Sequence, residues 1–193
     1  MAPSAARDGS SGAHAGGAPS PWIVRFASLV PAGGVVLDVA AGGGRHARLF
    51  LERGHRVVAV DRDVSALRAL EAGSRAEAHA SGRLEIVEAD LEGGAPWPLA
   101  GRTFAGVVVA NYLHRPLLPT LVAGVAPGGA LLYETFAAGN ERYGRPSNPD
   151  FLLRRGELLE AVRGALEIVA YENVTIESPR PAVVQRIAAC RPA

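Results

Sequence analysis

The chemistry of this chain gathers where apolar runs give way to polar residues. Asp38 interrupts the run Val35–Val39, Asp61 ends the run Arg56–Val60, and Asp90 follows Leu84–Glu88. Three glycines, Gly42 to Gly44, come directly after the first run. Arg45–Glu52 then carries Ala47, Phe50 and Leu51 at helical spacing. A buried strand, a glycine loop and an amphipathic helix describe the first βα turn of a doubly wound sheet, where such folds bind nucleotide-like ligands. Glycine permits positive φ and lets a ligand press against the backbone, and the helix start offers unpaired N–H groups to an anionic group. A carboxylate at Asp61 can accept both hydroxyls of a ribose, or it can cap the helix that follows. A second cluster, Asn111-Tyr112-Leu113-His114-Arg115, leaves the apolar run Phe104–Ala110. His114 can take a proton from an oxygen or nitrogen nucleophile, since imidazole titrates near neutral pH, or it can be a hydrogen-bonded structural group.

These groups need a sheet to hold them. Met1 to about Pro19 is Ala, Gly, Ser and Pro with almost nothing to bury, so residues 1–19 are expected to form a disordered tail and 20–193 a single domain. Ser20-Pro21 reads as an N-cap with proline at the first helical position, and Trp22, Phe26, Leu29 and Val30 continue at helical spacing. Strands are expected at Val35–Val39, Arg56–Val60, Leu84–Glu88, Phe104–Ala110, Ala130–Thr135, Leu166–Glu172 and Val183–Cys190. Helices are expected at Arg45–Glu52, after Asp63 or Ser65, at Pro116–Val125 and at Glu157–Val162. Continuous apolar strands suit a sheet covered on both faces. The expected fold is therefore α/β and three-layered, a Rossmann-like, mostly parallel seven-stranded sheet that ends in an antiparallel strand. Ala137 to Pro149 is a polar insertion longer than a simple connection requires.

Bulk properties exclude several classes. The 193 residues carry a formal charge of only +1, which gives no electrostatic case for a nucleic-acid or membrane partner. All 20 basic residues are arginine, so Schiff-base lysine chemistry is out. The single cysteine, Cys190, rules out an internal disulfide and a multi-cysteine zinc site, and no metal is expected. No apolar stretch approaches the roughly 20 residues that span a bilayer, and the N-terminus lacks the apolar core of a secretory signal. The expected setting is the cytoplasm. Oligomeric state is not readable.

Two cofactor fingerprints overlap at the glycines. Gly42-x-Gly44-x-x-Ala47 fits the dinucleotide pattern, with Asp61 near its ribose position, so an NAD(P)-binding oxidoreductase is one reading. Against it, Asp38 lies within the first strand where a dinucleotide site keeps an apolar residue, and there is no room for a separate substrate domain. Asp38-Val-Ala-Ala-Gly-Gly-Gly resembles the acidic-x-G-x-G-x-G motif of class I S-adenosylmethionine-dependent methyltransferases, with Ala40 in place of the first glycine. Asp61 after the second strand, Asp90 after the third, Pro127-Gly128-Gly129 before the fifth and the terminal strand pair follow that family's order. The resemblance runs from about Trp22 to Cys190. The Gly-x-Gly-Arg junction, Gly42 to Arg45, is similar to that of small bacterial members of the tellurite-resistance-like kind.

The resemblance implies S-adenosylmethionine as cofactor and methyl transfer to an acceptor, here expected to be a small molecule. A noncatalytic cofactor-binding module on the same fold is the other alternative. It further implies that Ala40, Gly42 and Gly44 pass under the methionine half and that Asp61 takes the ribose. Asp90 and Leu91 would border the adenine unless Asp90 merely makes a turn, and Arg62 would cover the adenine face unless it is simply solvated. Asp38 would orient the glycine loop or reach the methionine amine through water. Asn111 would contact the cofactor, and Tyr112, His114 and Arg115 would point toward the acceptor. Glu134 and the insertion bearing Arg142, Tyr143 and Arg145 read as an acceptor-binding lid or as an ordinary surface loop. Tyr143 joins His114 as a candidate catalytic group. His46 is expected to touch the cofactor or be exposed, and Arg25 to bind the cofactor carboxylate or face solvent.

Overall fold

The computed structural model describes residues 17–74 and 82–193. Most of the expected N-terminal tail, and residues 75–81 within the polar stretch before the third strand, lie outside them. One sheet of seven strands organises the molecule: β1 Val35–Val39, β2 Arg56–Asp61, β3 Leu84–Glu88, β4 Phe104–Ala110, β5 Val125–Phe136, β6 Glu167–Ile176 and β7 Ala182–Cys190. Their order is β3-β2-β1-β4-β5-β7-β6. The first five are parallel neighbours, and β7 runs antiparallel between β5 and β6. The chain reverses direction across the sheet between β1 and β4. At that switch point the carboxyl ends of both strands open onto a crevice.

Alternation along the buried strands builds a core on each face. Val36, Val57, Ala59 and Val108 pack with α1 (Pro21–Phe26), α2 (Arg45–Glu52) and α3 (Ser65–Ser74). Leu37, Val39, Val58, Val60, Val107 and Val109 pack with α4 (Leu118–Ala123) and α5 (Glu157–Val162) on the other. A two-residue period therefore feeds two cores from one strand. Among the described residues no helix is long and apolar enough to cross a membrane.

Four boundaries differ from the sequence reading. The expected helix Pro116–Val125 is a 3-10 turn at Arg115–Leu117 followed by α4, and Val125 already pairs with Phe104 of β4. Pro127-Gly128-Gly129 is accordingly a bulge inside β5, where Gly106 next meets Ala130, and not a turn ahead of it. Gly129 has no room for a side chain there, because a Cβ would lie 2.9 Å from the Ala105 carbonyl oxygen. The first helix stops at Phe26 and tightens into a 3-10 turn, and β6 extends to Ile176 along β7.

Candidate active site

The first βα turn is held from below by Asp38. Its carboxylate is 1% exposed and its Oδ2 accepts the Ala47 N–H at 2.9 Å. Gly44, the N-cap of α2, has no side chain with which to cap the helix, so the strand residue satisfies one of the orphan donors instead. Of the two uses expected for Asp38, the loop-orienting one is visible in this bond. Burial pushes its pKa up to about 7; the Ala47 bond and Arg45 oppose the rise, and Asp61 adds to it.

The glycines divide the work. Gly44, at φ +72°, is packed against α3: a Cβ would stand 2.9 Å from a Leu70 methyl and 3.0 Å from a Leu67 methyl. Gly42, at φ +53°, has open space where a Cβ would be. One glycine closes the helix onto its neighbour, and the other leaves its surface clear. Ala40 holds φ +52° and Asn111 φ +58°, the positive-φ residues other than glycine among those described. Non-glycine residues in this region carry strain that collects at functional sites, and these two end β1 and β4 on either side of the crevice.

Asp61 reaches back across the crevice from β2. Its Oδ2 accepts the Gly42 N–H at 2.8 Å and its Oδ1 accepts the Asp63 N–H at 3.0 Å. The helix-capping task expected as its alternative falls to Asp63, which accepts the Ser65 N–H at 3.0 Å. Arg62 is exposed beside it. Asp90 is exposed and turns its own loop by accepting the Glu92 N–H at 3.0 Å, while Leu91 is half-buried. Asp61, Asp90 and Asn111 thus stand at the ends of β2, β3 and β4, one after another along the crevice.

Other expected site residues are engaged elsewhere. Arg115 donates to both oxygens of Glu157 at 2.7 and 3.0 Å, and to the carbonyls of Asp150 and Leu152 at 2.7 Å each. It clamps the segment before α5 with four of its five N–H donors. Glu134 is likewise occupied: Ser20 Oγ donates to Oε1 at 2.7 Å and Arg186 Nη1 to Oε2 at 3.1 Å. Arg186 also pairs with Glu172 and lies 4.8 Å over the Trp22 ring. His46 is buried, not exposed at the crevice; its Nε2 accepts the Ser20 N–H at 3.1 Å, and burial, aided by Arg45, lowers its pKa to about 3. Arg25 is exposed against Phe26. Ser20, His46, Glu134 and Arg186 together fasten α1 to α2, β5 and β7. The sequence signalled only the Ser20 cap, because the other partners are 26 to 166 positions away in the chain.

The insertion is built on a closed neck, with Ala137 bridged to Leu153. Buried Asn140 accepts the Val183 N–H at 3.2 Å and donates to the Pro146 carbonyl at 3.0 Å. Arg142 Nε donates to the Gly139 carbonyl at 3.3 Å, and Tyr143 projects 47% exposed. Arg145 is also exposed, and His114 is half-buried at the start of the 3-10 turn. A groove of about 620 Å³ lies between α4 and α5. It opens beside the helices, away from the strand ends, and carries none of the crevice carboxylates. No group of three or more metal-ligating side chains occurs among the described residues.

The geometry agrees with what known proteins share with this chain. Residues 36–129 match the family model described as a methyltransferase domain, a span that starts in β1 and ends in the β5 bulge. The ribosomal RNA small subunit methyltransferase A of Rhodopseudomonas palustris (strain BisB5) is 41% identical over 88 residues, 45% of this chain and 29% of that protein. The match thus spans under a third of that curated relative's length. TehB from Haemophilus influenzae superimposes with a TM-score of 0.67 at 18% identity, over 89% of this chain and 61% of TehB. A Burkholderia thailandensis 1,6-didemethyltoxoflavin-N1-methyltransferase, solved with S-adenosylhomocysteine, gives 0.66 at 22% identity, over 90% and 77%. At these identities the structural likeness is one of fold. With this strand order, this glycine turn and the match over residues 36–129, just under half of the chain, the protein is similar to a methyltransferase domain and has the fold of S-adenosylmethionine-dependent methyltransferases.

Proposed function

We propose that the chain binds S-adenosylmethionine in the crevice and transfers its methyl group to a small-molecule acceptor. The observation that carries this reading is the Asp61 carboxylate laid on the Gly42 N–H at 2.8 Å, with open space over Gly42 and a left-handed residue on each side. That arrangement suits a ligand with vicinal hydroxyls beside a part that must lie flat on backbone. The cofactor, when bound, supplies a methyl group already activated on a sulfonium. Ala40 and Gly42 provide the floor for its methionine half, with Gly44 closing the turn onto α3; Asp61 provides the acceptors for its ribose, and Asp90 and Leu91 the border of its adenine. Asn111 separates this half from the acceptor side.

The protein's main contribution is then alignment and exclusion of water, worth roughly 7–11 kcal/mol when a near-attack geometry is held. His114 leaves the same strand end as Asn111 and is the residue available to take a proton when the nucleophile carries one. Tyr143, Arg142 and Arg145 project from the insertion that follows β5, on the acceptor side. Arg142 and Arg145 favour an anionic acceptor. A formal charge of +1 argues against a long polyanion such as RNA, although the curated relatives act on ribosomal RNA by name. The single cysteine fits a cytoplasmic setting.

The test is transfer of isotopically labelled methyl from S-adenosylmethionine to a panel of small anionic and neutral acceptors, with small-subunit ribosomal RNA alongside. Label in a small acceptor, with release of S-adenosylhomocysteine, is the expected result. Label in the RNA alone would replace the acceptor class and leave the cofactor in place.

A further inference from the structure

Tyr112, expected from sequence on the acceptor side, follows the left-handed Asn111 at the end of β4. Asn111, at φ +58°, turns the chain as it leaves β4. Tyr112 then packs against the core cluster on the α4–α5 face of the sheet, within electrostatic reach of Asp90 and Glu92 just after β3. Its carbonyl accepts the Tyr133 hydroxyl at 2.8 Å, which fixes the backbone from the β5 side. Its own hydroxyl is buried and has no partner at full hydrogen-bonding geometry, the one such side-chain atom among the described residues, with the Glu92 carboxylate the acceptor next to it. The charged groups around it are the carboxylates of Glu92, Asp90 and Asp61. Burial, with those carboxylates adding to it, raises the phenol well above its ordinary pKa, so it stays a neutral O–H.

Leaving a buried hydroxyl unpaired costs about 1–3 kcal/mol. A binding crevice is where such a cost is reversed by a ligand. The surrounding carboxylates are acceptors, and Asp90 and Asp61 already serve backbone N–H groups. Glu92 is exposed and can turn to solvent, so a ligand that completes this corner would accept a hydrogen bond from the tyrosine without adding negative charge. A neutral purine ring nitrogen meets both conditions; a phosphate or carboxylate fails the second. We propose that the Tyr112 hydroxyl donates to a ring nitrogen of the cofactor's adenine and so helps select an adenosine ligand. The assignment rests on the cofactor reading given above.

Titration calorimetry with S-adenosylhomocysteine, and thermal melting of the free proteins, test it on the wild type and Tyr112→Phe. The variant is expected to melt at or above the wild type, because it removes an unpaired group, and to bind roughly five- to tenfold more weakly. Deaza analogues of S-adenosylhomocysteine, each with one ring nitrogen replaced by CH, extend the test. One of them is expected to lose the same factor on the wild type and nothing further on Tyr112→Phe. Equal affinity of wild type and variant for S-adenosylhomocysteine would overturn the assignment while leaving the cofactor in place. So would a lower melting temperature with unchanged affinity, which would mark a structural bond to Glu92. No binding by the wild type would overturn the cofactor reading itself.

Discussion

Asp61→Ala is expected to weaken S-adenosylhomocysteine binding roughly 100-fold or more, with little change in folding. An ionised carboxylate has about four lone-pair sites. Two of them serve the Gly42 and Asp63 N–H groups at 2.8 and 3.0 Å, which leaves two for ribose hydroxyls. Hydrogen bonds to a charged group are each worth about 1.5–3 kcal/mol, and about 1.4 kcal/mol is tenfold in affinity. Losing two therefore removes at least about two powers of ten, before the untied glycine loop adds its own cost. Asp61→Asn keeps the shape and one acceptor oxygen, so it should fall between. The side chain is only half-buried, so a melting temperature near that of the wild type should accompany the loss. Undiminished affinity in Asp61→Ala would remove this residue from the site.

The second large effect is a pH dependence centred on Asp38. Its pKa stands at about 7 in the folded protein, chiefly through burial, against 3.8 for the free side chain. Below about pH 4 the carboxyl is protonated in both states and contributes no difference. As pH rises from about 4 to 7 the unfolded chain ionises first, so folding loses stability over that window and the cost is constant above it. A gap of about three pKa units corresponds to about 4 kcal/mol. Asp38→Asn keeps an oxygen for the Ala47 N–H and removes the titration. Its stability relative to the wild type should therefore climb by about 4 kcal/mol between pH 4 and pH 8, as followed by chemical denaturation at each pH. A relative stability that stays flat across the range would show that Asp38 is ionised throughout. A carboxylate kept at such a cost at neutral pH makes sense at a ligand site, where stability is commonly traded for function.

How much of this was legible beforehand depended on the range of the interaction. The span Val35–Glu52 was readable to the residue, because a β-branched run, three glycines and a helical period are all local signals. The same holds for Asp61 at the tip of β2, where strand end and carboxylate coincide. Val125 was misread as helical: its place is set by pairing with Phe104 across the sheet, and local apolar content cannot distinguish the two. Arg115 and Glu134 had the right residue types in the right quarter of the fold. Their charges were nonetheless claimed by Glu157, 42 positions on, and by Arg186, 52 positions on. Long-range partner choice of this kind leaves no periodic trace. His46 illustrates the opposite error, since a polar residue at a helix start reads as exposed until Ser20 is seen lying against it.

On the function proposed above, the glycine turn serves a sulfonium nucleoside and not a dinucleotide. Titration calorimetry of the wild-type protein with S-adenosylhomocysteine and, separately, with NADH tests it most directly. Saturable binding of S-adenosylhomocysteine with a dissociation constant in the micromolar range (about −8 kcal/mol) is expected, with no heat of binding for NADH. Saturable binding of NADH with none of S-adenosylhomocysteine would contradict it.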